Sequence, residues 1–509
     1  MRTLWRFLGC ILLAAVCSTA RLSMTADQEG SVQGPNGPIA GARVRWKGTA
    51  IGTVSDAQGR FRLPGTGKRI TAWKEGFYIG GAAPQKGLVL DLRPLPAGDC
   101  EEYAWVDPRP RVEDRHSCAN CHAEIYREWV HSAHARAARG RRFLDLYQGT
   151  GKHGSRGGSL LAERPEGASV CVACHAPSVA PGDPAFDHVH LARGVPSLGV
   201  HCDYCHKIAD TSLTRLGREH GRYAHRLLRP TTGQVFFGPR DDVDRGEETY
   251  APLYRESRYC AACHEGTLFG VPVYTTYSEY LSSPAFREGK QCQTCHMASS
   301  GRMSNVAPGH GGVERDPRTI GSHAFLGAHP DMLRRSLHLR ARLVRQNNDE
   351  LLVDLALSAR DIGHRLPTGF IDRHVILLVR VMSAQGEIEP REGARLPEVV
   401  GRGTGPGAWA NKPGLFLGRI WTDEHGCAPV PFWLAERELC DSRLEPGETR
   451  PARWLYDAAQ AQRVEIRLVY RRFFYETAQL KGWDDNEIVL LDKHLVVPAQ
   501  GAYVWSWSN

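Results

Sequence analysis

The stretch Cys118-Ala119-Asn120-Cys121-His122 is the first of five copies of the pattern Cys-x-x-Cys-His, and these copies decide the fold of this chain. The other four start at Cys171, Cys202, Cys260 and Cys292. Together they use ten of the 15 cysteines, although a chain of this composition would contain well under one copy by chance. The pattern is therefore a repeated chemical site.

Cys-x-x-Cys-His is the attachment signature of c-type haem. Its two thiols lie on one side of a single turn, where both can form thioethers with haem vinyl groups, and the adjacent histidine can bind the iron. The same cysteine spacing also occurs in structural zinc sites and redox disulfides. Zinc does not need a histidine after every second cysteine, and a redox dithiol rarely occurs five times. We therefore expect five covalently bound haems.

The five motifs supply two sets of candidate site residues. The attachment cysteines are Cys118, Cys121, Cys171, Cys174, Cys202, Cys205, Cys260, Cys263, Cys292 and Cys295. The proximal iron ligands are His122, His175, His206, His264 and His296.

The composition is that of an ordinary globular protein of about three domains. Of the 509 residues, 42% are hydrophobic and 24% are charged, which excludes wholesale disorder. The formal net charge of +8 could suggest a nucleic-acid partner. Five haems would add about ten propionate carboxylates, which account for much of the arginine excess, so we expect no nucleic acid. The expected partners are other cytochromes or membrane redox complexes, and self-association stays open.

Residues 1–20 have the features of a secretory signal peptide. Arg2 and Arg6 precede an apolar run over 7–17, and Ser18-Thr19-Ala20 offers small residues for cleavage. The run is too short for a convincing membrane span. We therefore expect a periplasmic or extracellular protein, which agrees with the place where bacteria attach c-type haem.

Strand patterns flank the motifs on both sides, so we predict a multidomain protein. Residues 30–96 alternate apolar and polar side chains, and residues 331–509 predict a second β-sandwich. Between them, 100–330 predicts a mostly helical or irregular domain whose core is formed by the haems. Within the last domain, Cys427 and Cys440 are expected to form a disulfide, as exported proteins allow.

The first strand region carries a recognisable pattern. It contains Gly37-Pro38-Ile39-x-Gly41-Ala42-x-Val44 and then Asp56-x-x-Gly59-x-Phe61-x-Leu63. This order resembles the carboxypeptidase regulatory-like β-sandwich. The resemblance implies a spacer or attachment module, and the segment contains no catalytic constellation.

The second axial position of each iron separates an electron carrier from an enzyme. The chain has 22 histidines but only 6 methionines, which favours bis-His ligation and rather low potentials. The candidate distal ligands are His134, His190, His201, His225, His323 and His364, with His116, His188, His220, His310 and His329 as competitors. His364 could reach a haem across the domain boundary, or it could be a core histidine beside the turn at Pro367.

Residues 118–135 read Cys-x-x-Cys-His-x-x-Ile-Tyr-x-x-Trp-x-x-Ser-x-His-Ala, which resembles the first haem segment of the cytochrome c554-like multihaem family. Residues 199–206 and 292–297 fit the same family. The resemblance implies that His134 and His323 are distal ligands. One departure is that 240–259 contains no histidine, where such chains often have one, so one haem could borrow a ligand or be five-coordinate.

The function that these features favour is electron transfer between redox partners. The alternative is an oxidoreductase that acts on a small nitrogen or sulfur compound, such as nitrite, hydroxylamine or tetrathionate, at one open haem. A third possibility is a structural subunit of a membrane complex or filament. No motif ends in Cys-x-x-Cys-Lys, so the catalytic haem of penta-haem nitrite reductases is not evident, and we assign no catalytic residue.

The first testable expectation is the haem stoichiometry. The intact mass of the mature protein should show five covalent haems and the loss of a segment near residues 1–20. A mass that accounts for four haems or fewer after proper maturation would show that one motif has another role.

Overall fold

The computed structural model describes residues 27–114, 117–149, 158–346 and 349–508. The predicted signal peptide and His116 lie outside these ranges. Two strand-rich regions flank a central region of short helices, which confirms the predicted multidomain fold class. Within the described ranges, no helix combines the length and the apolar character needed to cross a membrane.

The N-terminal region is a β-sandwich of two sheets. Its strands are β1 (Gln28–Gly34), β2 (Gly37–Pro38), β3 (Arg43–Trp46), β4 (Gly52–Val54), β5 (Arg60–Leu63), β6 (Ile70–Trp73), β7 (Gly80–Ala82) and β8 (Leu88–Asp91). One sheet has the order β2-β1-β5 with β8 parallel to β1, and the other has the order β4-β3-β6-β7. Alternate residues of β5 and β8 are buried in the core, because successive side chains of a strand point to opposite faces.

The central region consists of short helices and three two-stranded ribbons. The helices are α1 (Cys118–Cys121), α2 (Ala123–Val130), α3 (Arg141–Gln148), α4 (Leu160–Glu163), α5 (Val172–His175), α6 (Cys202–Cys205), α7 (Arg258–His264), α8 (Thr276–Ser282), α9 (Pro284–Arg287) and α10 (Cys292–His296). The ribbons pair β9 (Ile208–Thr211) with β10 (His225–Leu227), β11 (Phe236–Gly238) with β12 (Glu248–Tyr250), and β13 (Glu265–Leu268) with β14 (Val271–Thr275). Elements this short depend on tertiary contacts for their stability.

The C-terminal region packs two larger sheets face to face. Its elements are α11 (Pro330–Ser336), β15 (Leu337–Arg345), β16 (Glu350–Ala359), β17 (His374–Ser383), β18 (Gly386–Ile388), β19 (Glu392–Gly393), β20 (Gly414–Leu417), β21 (Arg419–Thr422), β22 (Arg437–Asp441), β23 (Thr449–Asp457), β24 (Arg463–Arg471), α12 (Tyr475–Lys481), β25 (Glu487–Val496) and β26 (Gly501–Trp507). One sheet has the order β19-β23-β16-β15-β26, and the other has the order β18-β17-β24-β25 with β20 beside β17. The predicted strands near 337, 351, 374 and 463 are all present.

Three aspartates of the central region hold the N-terminal sandwich in place. Asp244 pairs with Lys47 at 2.7 Å and also with Arg69, while its own side chain is 1% exposed. Asp241 pairs with Arg43 and Arg45, and Asp242 accepts a hydrogen bond from the amide of Gly48 at 2.8 Å. The basic side chains of the sandwich therefore meet a buried acidic loop.

The acidic loop occupies part of the histidine-free segment 240–259. The same segment contains β12, where the carbonyl of Glu248 accepts a hydrogen bond from the amide of Ile79 at 2.9 Å, and Thr249 accepts one from Trp73 at 3.1 Å. In this chain the segment thus forms a domain interface, which gives it a structural role.

The predicted disulfide is absent, and both Cys427 and Cys440 carry free thiols. Cys440 is opposite Ile420 in the β21–β22 ladder, whereas the amide of Cys427 is bound to Asp423, beyond the end of β21. The structure therefore anchors the two cysteines at different points, one on the β21–β22 ladder and one on the turn that follows β21.

We expect Asp244→Asn to loosen the N-terminal sandwich. The substitution leaves Lys47, whose side chain is 11% exposed, without its ion-pair partner. Breaking a buried pair by removing one partner costs about 3 kcal/mol. Limited proteolysis should therefore cut the variant near the start of the central region faster than the parent. Asp91→Asn, which changes an exposed carboxylate of the same sandwich, is the control and should leave the cutting rate unchanged.

Candidate haem sites

The five motifs are joined into one continuous cluster. Side-chain contacts link Cys118 to Cys202, Cys174 to Cys263, and Cys260 to Cys292. The hydroxyl of Tyr259 donates to the carbonyl of Cys205 at 3.0 Å, which connects the third motif to the fourth. Motif one therefore contacts motif three, and motifs three, two and five all converge on motif four.

Four of the five proximal histidines are oriented by a backbone carbonyl. The Nδ1 atom bonds to the carbonyl of Val306 for His122 (2.9 Å), of Ala137 for His175 (2.7 Å), of Phe237 for His206 (2.6 Å) and of Leu326 for His296 (2.6 Å). A carbonyl can only accept, so Nδ1 carries the proton and Nε2 keeps its lone pair. This second-shell hydrogen bond is the usual support of a metal-binding imidazole.

Two pairs of histidine rings face each other at a common distance. The ring centroids of His134 and His264 are 6.2 Å apart, and those of His296 and His364 are 6.1 Å apart. Metal–imidazole bonds are about 2.0 Å long, so two imidazoles on opposite sides of one metal have centroids roughly 6 Å apart. Both pairs therefore fit bis-His ligation of a single iron.

The electrostatics of these rings agree with a ligand role. Burial lowers the pKa of His134 to about 4, and burial next to His134 lowers the pKa of His264 to about 3. Burial also lowers the pKa of His364, whose Nδ1 bonds to the carbonyl of Arg365 at 2.9 Å. At neutral pH all three rings are therefore neutral, as an imidazole must be to bind a metal.

Three more predicted ligands have a buried ring nitrogen that lacks a hydrogen-bond partner within the described ranges. These atoms are Nδ1 of His190, Nε2 of His225 and Nδ1 of His323. A buried polar atom without a hydrogen-bond partner lowers the folding stability by about 1–3 kcal/mol, so we expect each of these atoms to bind a partner. Burial lowers the pKa of His323 to about 4, and the neighbouring His206 and His122 add to the effect, so His323 lies near motifs three and one.

Comparison with known proteins agrees with this geometry. Residues 117–207, which hold the first three motifs, match the family model of cytochrome c554 and c-prime. A crystal structure of a penta-haem cytochrome c552 from Thermochromatium tepidum aligns over 75% of this chain and 97% of its own, with a TM-score of 0.53 and 20% identity. The predicted resemblance to the multihaem c-type cytochromes is confirmed. At this identity the structural likeness establishes a shared fold, and no curated protein matches the chain.

In the structure one predicted ligand, His201, has protein partners on both ring nitrogens. Its Nε2 contacts the hydroxyl of Ser178 at 2.8 Å, and its Nδ1 accepts the amide of Tyr204 at 3.3 Å. Both ring nitrogens therefore have protein partners, because the residue directly before Cys202 caps helix α6. The competitor His329 likewise caps α11 by accepting the amide of Asp331.

Sequence reasoning missed a buried ion pair beside the third motif. Lys207, directly after His206, pairs with Asp203 at 2.5 Å, and both side chains are completely buried. Asp203 also accepts the hydroxyl of Tyr103 at 3.0 Å and the amide of Val106 at 2.8 Å. The i, i+4 spacing of the two charges was the available signal. The pair ties the chain before the first motif to the third motif.

We expect His134→Ala to convert one low-spin haem to the high-spin state while every haem stays attached. The physical reason is that His134 faces His264 at the spacing of a shared iron. Electron paramagnetic resonance and absorption spectra of the oxidised protein measure the change. His131→Ala, at an exposed position of the same segment, is the control. A parent-like spectrum of His134→Ala would remove His134 from the set of iron ligands.

Proposed function

We propose that this chain is an exported electron-transfer protein that carries five c-type haems and passes electrons between redox partners. The fold of a multihaem cytochrome and five attachment motifs in one contiguous cluster support this proposal. Bound haem would supply one-electron chemistry at its iron, with a potential set by ligation, hydrogen bonding and burial.

The ligand set follows from the proximal histidines and their partners. We assign His122, His175, His206, His264 and His296 as proximal ligands, each in its own motif. His134 is the distal partner of His264, and His364 is the distal partner of His296, as supported by the two ring spacings. His190, His225 and His323 are the candidates for the other three irons; each has a buried nitrogen without a partner in the described ranges, as does the competitor His188.

The single observation that carries the proposal is the His134–His264 spacing of 6.2 Å. Motif four lies at the centre of the cluster, and with His264 and His134 as its two ligands a bound haem iron would have no open position for a substrate. The residues of the chain then hold and orient the rings and keep water away, as an electron carrier requires. The alternative function, an enzyme, needs an open iron. The sequence suggested an open iron because residues 240–259 contain no histidine, and this segment forms the contact with the N-terminal sandwich.

The place of action and the partners are also part of the proposal. The segment at 1–20 directs the chain to the periplasm or the cell exterior, and the partners are other cytochromes or membrane redox complexes. The N-terminal sandwich is fixed to the haem region by ion pairs to buried aspartates, which favours a rigid attachment module over a flexible spacer.

Binding of carbon monoxide separates the electron carrier from the enzyme. An open ferrous iron binds this gas readily, whereas a bis-His iron resists it because a ligand must first leave. We expect little or no spectral shift on adding carbon monoxide to the reduced protein, and negligible turnover of nitrite or hydroxylamine. Rapid uptake of one full equivalent per chain, together with turnover, would establish the enzyme instead.

A further inference from the structure

The segment that carries His364 belongs to the C-terminal sandwich but lies against the haem region. It connects β16 to β17, and His364 reaches from it to His296. The next two residues anchor the segment to the sandwich, because the amide and carbonyl of Leu366 both bond to Leu444 at 2.9 Å. A histidine on such a segment keeps its position relative to the haem region only if residues of the haem region also contact the segment.

Glu279 of helix α8, in the haem region, makes such contacts with the segment. One carboxylate oxygen accepts the amide of Arg365 at 3.1 Å and the hydroxyl of Thr368 at 2.7 Å. The other accepts Nη1 of Arg443 at 2.6 Å and the hydroxyl of Thr275 at 2.5 Å. Four donors therefore converge on one buried carboxylate, and three of them come from the C-terminal sandwich.

The contact with Arg365 leads directly to the imidazole. The amide of Arg365 donates to Glu279, and the carbonyl of Arg365 accepts from Nδ1 of His364. Glu279 thus fixes the residue that in turn fixes the tautomer and orientation of the His364 ring. The side chains of Glu279 and Arg443 are 6% and 5% exposed, so water cannot replace these contacts easily.

We propose that Glu279 is a positioning residue that holds His364 on the iron of the fifth haem and couples the C-terminal sandwich to the haem region. This inference rests on the proposed function, in which His364 and His296 share that iron. Glu265, which is close in sequence, shows the contrast: it accepts amides of α8 itself and so supports only the local helix.

Glu279→Gln is the informative substitution. A glutamine side chain has nearly the same shape, but one of its two polar atoms is a donor and would face two other donors. Arg443 keeps its pair with Asp441 at 2.8 Å, so the fold retains a partner for that charge. Glu445→Gln is the matched control, because Glu445 is 53% exposed and binds the same Arg365 from the solvent side.

The experiment compares the haem-loaded parent with Glu279→Gln, Glu445→Gln, His364→Ala and the double variant Glu279→Gln/His364→Ala. Spin state is read by electron paramagnetic resonance, carbon monoxide binding by absorption, and haem content by intact mass. We expect His364→Ala to convert one haem to high spin. Glu279→Gln should raise the rate of carbon monoxide binding at one haem about tenfold, as loss of one hydrogen-bonded contact would. The double variant should match His364→Ala, and Glu445→Gln should match the parent.

The outcomes separate the inference from the proposed function. A parent-like spectrum and gas-binding rate in Glu279→Gln, with one high-spin haem in His364→Ala, would overturn the role of Glu279 and leave the ligand assignment intact. No change in His364→Ala would overturn the ligand assignment and the inference together. If Glu279→Gln does not accumulate, Thr368→Val removes the hydroxyl that contacts Glu279 and Thr276 and leaves the other donors to Glu279 in place, and the same two results decide the question.

Discussion

The hydrogen bond from Nδ1 of a proximal histidine to a backbone carbonyl, which four of the five make, is the interaction on which the haem region depends. Covalent attachment fixes the position of a motif relative to its haem. The orientation of the imidazole, and therefore the direction of Nε2, depends on the hydrogen bond between Nδ1 and a carbonyl on the other side of the ring. These carbonyls come from distant parts of the chain, such as Val306 for His122 and Phe237 for His206. The chain must therefore wrap around each motif, which explains why the region consists of short helices and ribbons.

The same dependence explains why both sandwiches are attached so firmly. A region built of elements no longer than eight residues gains order from packing against its larger neighbours. On the N-terminal side, Asp244 and its neighbours pair with basic strands. On the C-terminal side, Glu279 meets Arg443 in a buried pair. In both places a buried carboxylate of the haem region receives donors from a sandwich.

The partners of the ring nitrogens separate the histidines by role. His134 and His364 are neutral rings that face another histidine at about the spacing of a shared metal. His201 is equally buried, but Ser178 and the amide of Tyr204 already occupy its two nitrogens. The number of free nitrogen atoms, more than burial or the distance to a motif, therefore distinguishes a candidate ligand from a structural histidine.

The sequence by itself determined the kind of cofactor chemistry and the fold class, and it predicted the proximal ligands. These features are local: Cys-x-x-Cys-His needs only one turn of chain, and period-two alternation predicts a strand without knowledge of its partner. It also placed His134 and His364 among six candidate distal ligands. Only the tertiary structure decided which histidine faces which motif, that His201 caps a helix, and that the histidine-free segment docks a domain. Each of these depends on contacts between residues far apart in the chain, such as Asp244 with Lys47 or Glu279 with Thr368, and no local pattern encodes such pairings.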